Sequence, residues 1–166
     1  THPSIPARTT RELLAIAKAR PGQITFASGG SGAATHLAGE LLKIMGGVDM
    51  THIPYKGAGP ATIDLISGQV SLMVDGMPQA LAQIRGGKLR GYAVLSKARS
   101  PYAPAIPTLA ESGIAALADI EILGWSGFLA PAGTPRALVD RLNAEPSRIL
   151  ASTEMREFLS AQSLQV

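Results

Sequence analysis

Gln23-Ile24-Thr25-Phe26-Ala27-Ser28-Gly29-Gly30-Ser31-Gly32, running on into Ala33-Ala34-Thr35-His36-Leu37-Ala38, is the stretch that decides the fold class. Ile24 and Phe26 alternate with polar or small neighbours, which predicts a short strand over residues 23–27. Small residues fill the next five positions. Ala34, Leu37, Ala38, Leu41, Ile44 and Met45 then recur at helical spacing up to Gly46-Gly47, the expected stop. Strand, small-residue turn and helix form one βα unit.

The same grammar extends in both directions. Residues 10–20 predict a helix with Leu13, Leu14 and Ile16 on its apolar side, closed by Pro21-Gly22. Residues 50–54 predict a second strand. The loop over residues 55–59 then leads to Pro60, placed where a first helical position would be, and a helix over residues 61–67. Residues 70–74 predict a third strand ending at Asp75-Gly76, with a helix around residues 79–85. A further strand is expected over residues 89–95. Pro101, Pro104 and Pro107 follow, then a turn of helix over residues 108–111. Residues 120–123 and 125–130 read as extended, and two helices are expected near residues 136–150 and 154–161.

Strands alternating with helices at this spacing argue an α/β fold with a largely parallel sheet flanked by helices. Ligands of such sheets bind beyond the carboxyl ends of the strands. That rule selects the loops over residues 28–33, 55–59 and 75–78.

Composition removes several classes of function. With 46% hydrophobic and 16% charged residues, and a mean hydropathy of +0.19, the 166-residue chain is not disordered. No apolar run is long enough for a membrane span, and no stretch has the form of a signal peptide. Fifteen Lys and Arg against twelve Asp and Glu give only +3, scattered along a chain with 4% aromatics, so no nucleic-acid partner is expected. The absence of cysteine removes thiol catalysis and thiolate metal sites.

Glycine lets the first loop turn tightly and lets a ligand approach the backbone closely. The free N–H groups of the following helix, backed by its dipole, suit a carboxylate or phosphate there. An ordinary tight turn is the plainer alternative. Sharper readings fail: Gly32 is followed by Ala33-Ala34 rather than the Lys-Ser/Thr of a P-loop, and the third glycine of a dinucleotide fingerprint is missing. Gly29-Gly30-Ser31-Gly32-Ala33 approaches a nucleophile elbow, but no histidine follows the acids in chain order. An α/β hydrolase-like enzyme using Ser31 is therefore the rival, not the first choice.

His36 reads as a structural or capping residue. His52 lies in a strand, and no third ligand completes a metal site with them. Lys56-Gly57 offers a cation to an acidic ligand or a solvated lysine, and Asp75 reads equally as a helix cap or a ligand acceptor. No cofactor and no catalytic residue are expected.

Together, four phrases resemble a known family. They are residues 26–32 leading to His36-Leu37-Ala38-Gly39-Glu40-Leu41, and His52-Ile53-Pro54-Tyr55-Lys56-Gly57 with Pro60-Ala61 and Asp64-Leu65. The others are Gly86-Gly87-Lys88-Leu89-Arg90 with Ser96, Arg99-Ser100-Pro101, and Pro107-Thr108-Leu109-Ala110-Glu111-Ser112-Gly113 with residues 125–135. The sequence resembles the extracytoplasmic solute-binding proteins of the tripartite tricarboxylate transporters, the TctC or Bug family.

This resemblance implies a periplasmic-binding-protein-like (type II, Venus-flytrap) lobe and a non-enzymatic periplasmic receptor for a dicarboxylate, a citrate-like acid, an acidic amino acid or an aromatic acid. It implies transporter subunits in the membrane as partners of the full-length protein. It assigns Ser28, Gly30, Ser31, Gly32 and Ala33 to the carboxylate-binding loop, and gives pocket roles to Lys56, Gly57 and Asp75. The family commonly has Ser or Thr where this chain has Ala33, so a hydroxyl donor is missing there while the N–H is kept. Family chains are longer, so the resemblance also implies a truncated form without its signal peptide. Residues 1–124 are then the second lobe, and residues 125–166 are crossover and helices belonging to the first. Self-association of the chain, or an interaction domain that no longer binds ligand, are the other expectations.

Overall fold

The structure, a computed structural model, describes residues 1–122, 124 and 127–164. The chain forms two compact units, Thr1–Gly124 and Trp125–Val166.

In the first unit the order is α1 (Thr10–Ala19), β1 (Thr25–Ser28), α2 (Ala34–Gly46), β2 (Thr51–Pro54), α3 (Ala58–Ile66), β3 (Leu72–Met73) and α4 (Met77–Arg85). The three strands make one parallel sheet in the order β2-β1-β3. Because successive side chains on a strand point to opposite faces, β1 serves two cores. Phe26, fully buried, joins Leu13 and Leu14 of α1, Leu42 of α2, Met50 and Leu72 on one face. Ala27 joins Ala61 and Leu65 of α3, Val70 and Leu89 on the other. The connection through α2 leaves β1 toward one neighbour, and the one through α3 returns to the other. The loops above β1 therefore occupy the switch point where ligands of such sheets bind.

One glycine sets how closely α2 approaches the sheet. A Cβ on Gly39 would collide with Cε2 and Cδ2 of Phe26, so only glycine lets the helix ride directly on that ring.

Several elements differ from the sequence expectation. α3 starts at Ala58, so Pro60 is its third residue, a position where the missing N–H costs nothing because the first-turn amides have no intrahelical acceptor. The strand over residues 70–74 shrinks to Leu72–Met73; just before it, the Ser71 N–H donates to Thr25 O at 3.2 Å, and Ser71 and Thr25 also exchange side chain–backbone hydrogen bonds (3.0 and 3.3 Å). Residues 89–95 form no strand. Only Val94 bridges Thr108, and Leu95 O accepts singly from the Ile122 N–H at 2.8 Å. At Gly91 a Cβ would crowd the Cδ1 atoms of Ile84 and Ile106, and beside it Arg90 pairs with Thr1, its N–H donating to Thr1 O at 2.9 Å and its O accepting from the Thr1 ammonium at 2.8 Å. The expected turn over residues 108–111 is a 3-10 turn at Ala110–Ser112, tied down by the Arg99–Glu111 pair at 2.7 Å. Residues 120–122, 124 and 127–130 are irregular, while Leu123, Trp125 and Ser126 lie outside the described residues.

In the second unit, α5 (Arg136–Leu150) and α6 (Thr153–Ala161) stand close to where periodicity places them. Among its described residues none is buried. No helix among the described residues is long and apolar enough to cross a membrane.

Candidate anion-binding site

The glycine loop after β1 is folded mostly onto itself. The Ser28 hydroxyl accepts from the Gly30 N–H and lies 3.2 Å from Gly30 O, the Gly29 N–H donates to Thr35 Oγ1 at 3.0 Å, and the Ala33 N–H donates to Gly30 O at 3.1 Å. Gly30 and Gly32 hold φ of +138° and +82°, values that a side chain would strain. At Gly30 a Cβ would also sit 3.3 Å from Tyr55 O. Among the described residues, the N–H groups of Ser31, Ala34 and Thr35 have no acceptor. They surround the start of α2, where the helix dipole adds its partial positive charge.

Behind this loop stands an aromatic stack. The rings of His36 and His52 lie 4.1 Å apart, and Phe26 stacks at 4.8 Å from His52 and 6.4 Å from His36. His52 Nε2 lies 2.6 Å from Ser28 Oγ. His36 Nδ1 accepts from the Gly32 N–H at 3.1 Å, and its Nε2 faces Glu40 at 3.9 Å. Lys43 pairs with Glu40 at 3.2 Å and lies 5.8 Å from the Phe26 ring centre. Burial first, then the neighbouring His36 and Lys43, push the His52 imidazole below its ordinary pKa, with Glu40 opposing. The stack thus favours neutral His52.

The second and third loops flank the first. Tyr55 N–H donates to Ser28 O and Gly57 N–H to Gly29 O, both at 3.0 Å, which fastens the loop after β2 to the glycine loop. The Tyr55 hydroxyl donates to Asp64 of α3 at 2.7 Å. Burial, then this carboxylate, pushes its pKa up. Ala58 and Gly59 open α3 with amides that have no acceptor among the described residues, and Lys56 beside them is exposed and unpaired on the same terms. After β3, Asp75 accepts from the Gly76 N–H at 2.8 Å. Burial raises its pKa despite that bond.

The eight residues selected from sequence thus share one edge, in three adjoining loops, with different availability. Ser28 is fully buried with its hydroxyl committed, and the N–H groups of Gly30, Gly32, Ala33 and Gly57 are all bonded within the loops. Ser31 and Lys56 keep free donors. Sequence reasoning missed Ala34 and Thr35, although helix-start geometry signals them, and it did not pair His36 with His52. That pairing follows from α2 crossing β2 and leaves no sequence-local trace. Ser31 has no histidine partner among the described residues; of the close serine–histidine pairs, Ser28–His52 has its hydroxyl fully buried, and His2–Ser4 at 2.7 Å is two residues apart on the surface.

Residues 1–166 match the family described as tripartite tricarboxylate transporter family receptor. The chain belongs to this family. Protein BugT of Bordetella pertussis is 38% identical over 162 residues, covering 98% of this chain and 49% of BugT. Among solved structures, MatC of Rhodopseudomonas palustris with bound malate superposes with a TM-score of 0.90 at 30% identity, over 98% of this chain and 54% of MatC. An R. palustris protein with adipate gives 0.90 at 32% identity, over 98% and 53%. This family receptor therefore spans about half the length of these relatives. Its α/β fold is that of the periplasmic binding proteins, and the family's members are substrate-binding receptors rather than enzymes.

Proposed function

We propose that this chain carries one lobe of a periplasmic receptor that captures a small organic acid for a tripartite tricarboxylate-type transporter. The observation that carries the reading is the convergence of α2, α3 and α4, with their free first-turn amides, on one edge of a parallel sheet. Amides fixed beforehand stabilise an anion without reorganising, and each helix dipole adds roughly 0.3–1 kcal/mol for a carboxylate at its start. Ser31, Ala34 and Thr35 hold one carboxylate, Lys56 supplies a cation at the rim, and half-buried Asp75 accepts from a hydroxyl or ammonium on the ligand. Malate and adipate in the related structures make a dicarboxylate the leading ligand class. Thr1–Gly124 is the lobe that holds this site; α5 and α6 belong with the partner lobe. No turnover is expected, because Ser31 has no base.

The test is a titration of the protein with malate and with adipate, followed by amide NMR. Shifts concentrated at Ser31, Ala34 and Thr35 are expected. For residues 1–166 titrated by themselves, affinity should be no better than about millimolar, near −4 kcal/mol, since the donors of a partner lobe and the dry enclosure between lobes lie outside that sample. Shifts confined to other surfaces sink the reading. So does ester hydrolysis that vanishes in Ser31→Ala.

A further inference from the structure

The stretch that presents the free amides is held by very little. Ser31 and Gly32 are exposed, a Cβ on Gly32 would meet nothing within 4 Å, and the Ser31 amide is unbonded. Among the described residues, the one hydrogen bond that reaches Gly32 comes from the side chain of His36, one turn into α2. That imidazole is itself firmly placed. It stacks on His52 from β2 and on Phe26 from β1, and Gly39 lets the helix carrying it sit close to the sheet.

We propose that His36 is the positioning residue of the glycine loop. Its unprotonated Nδ1 accepts from the Gly32 N–H, holds Gly32 in its left-handed conformation, and so aims the amides of Ser31, Ala34 and Thr35. An imidazole nitrogen can accept only while it carries no proton, so neutral His36 must bear its hydrogen on Nε2, toward Glu40. When His36 takes up a second proton, Nδ1–H confronts the Gly32 N–H and the bond is replaced by repulsion. The titratable and charged groups facing this ring are Glu40 and Lys43 on α2 and His52 on β2; Phe26 on β1 is uncharged.

The sign separates this role from simple attraction. A histidine that merely drew anions would strengthen capture as pH falls. A histidine that positions the loop weakens it. The consequence for the ligand rests on the receptor reading above, whereas the positioning of Gly32 does not.

Nitrogen-15 NMR of the unmodified protein reads the tautomer directly. The expected result is a bare Nδ1 on His36 at neutral pH, with Gly32 amide exchange, corrected for its intrinsic rate, faster in acid, where the ring is protonated, than at neutral pH. In His36→Leu the Gly32 amide should exchange faster by about 2- to 10-fold, the worth of one net hydrogen bond. His36→Asn places Oδ1 where Nδ1 stood, and should restore most of that protection and remove its pH dependence. Malate-induced shifts at Ser31, Ala34 and Thr35 should weaken in the leucine variant and recover in the asparagine variant. A proton on Nδ1 in the unmodified protein overturns the proposal without any variant. Unchanged Gly32 exchange in a folded His36→Leu overturns it too. If Gly32 responds as expected but malate moves none of the three amides, the positioning role stands and the receptor reading is what fails.

Discussion

Thr1–Gly124 and Trp125–Val166 are written in the same apolar periodicity but treat it differently. In the first unit much of that pattern ends up enclosed: Phe26 is 0%, Leu14 3% and Leu65 3% exposed, although α2 turns the expected Leu37 and Ile44 outward and buries Ala38, Gly39 and Leu42 instead. In the second, Leu138, Leu142, Ile149 and Phe158 keep the spacing of an apolar face yet stay 45–59% exposed. A helix needs only local sequence to be recognisable, whereas a core needs a second surface. Helices of 15 and 9 residues are marginal by themselves in water, so α5 and α6 depend on packing in a way that their pattern does not reveal.

The sharpest way to test that contrast is to delete the ring at the centre of the first unit. Phe26→Ala should destabilise by about 3–5 kcal/mol, since it empties the space between α2 and the sheet and removes the base of the histidine stack. Urea unfolding measures it, and a loss below 1 kcal/mol would mean that the two units differ less than their burial indicates.

Acid should act in the same unit with a smaller effect. His52 has its pKa lowered from the ordinary 6.5, so the unfolded chain binds the proton more tightly and stability falls as pH drops below about 6.5. A second loss is expected between 4.5 and about 2, where Glu111, held down first by its Arg99 hydrogen bonds and then by the Thr108 N–H, is forced to take a proton. The exposed pairs Arg136–Asp140 and Arg148–Glu145 of the second unit should add nothing measurable. Thermal melts across this range in His52→Gln should lose the first step and keep the second.

The smallest effect belongs to the second unit. Leu142→Ala should change stability by no more than about 0.5 kcal/mol, because the side chain is 53% exposed and leaves no cavity. A cost approaching that of Phe26→Ala would show that α5 is packed in solution.

The order of the first unit's helices, the parallel sheet and the ligand-side edge were all legible, because strand and helix periods differ and glycine marks the turns between them. Residues 89–95 misled because an apolar, β-rich run says nothing about whether a neighbouring strand exists to pair with it. The glycine loop is legible in the sequence as a small-residue turn, but not which of its amides are free. Ser28, Gly30, Gly32 and Ala33 have the chemistry of an anion cradle in sequence, yet the fold spends their polar groups on holding the loop, and the free donors pass to Ser31, Ala34 and Thr35.

By itself, then, the sequence determined where the chain turns and which residues recur at helical or strand spacing, since both depend on residues within a few positions of one another. Only the tertiary structure decided that His36 and His52 stack and that Ser28 is buried beside them, its hydroxyl against His52. Those contacts join β1, α2 and β2 across the sheet, and they exist because Gly39 lets the helix come down onto Phe26. No local pattern encodes a distance set by packing.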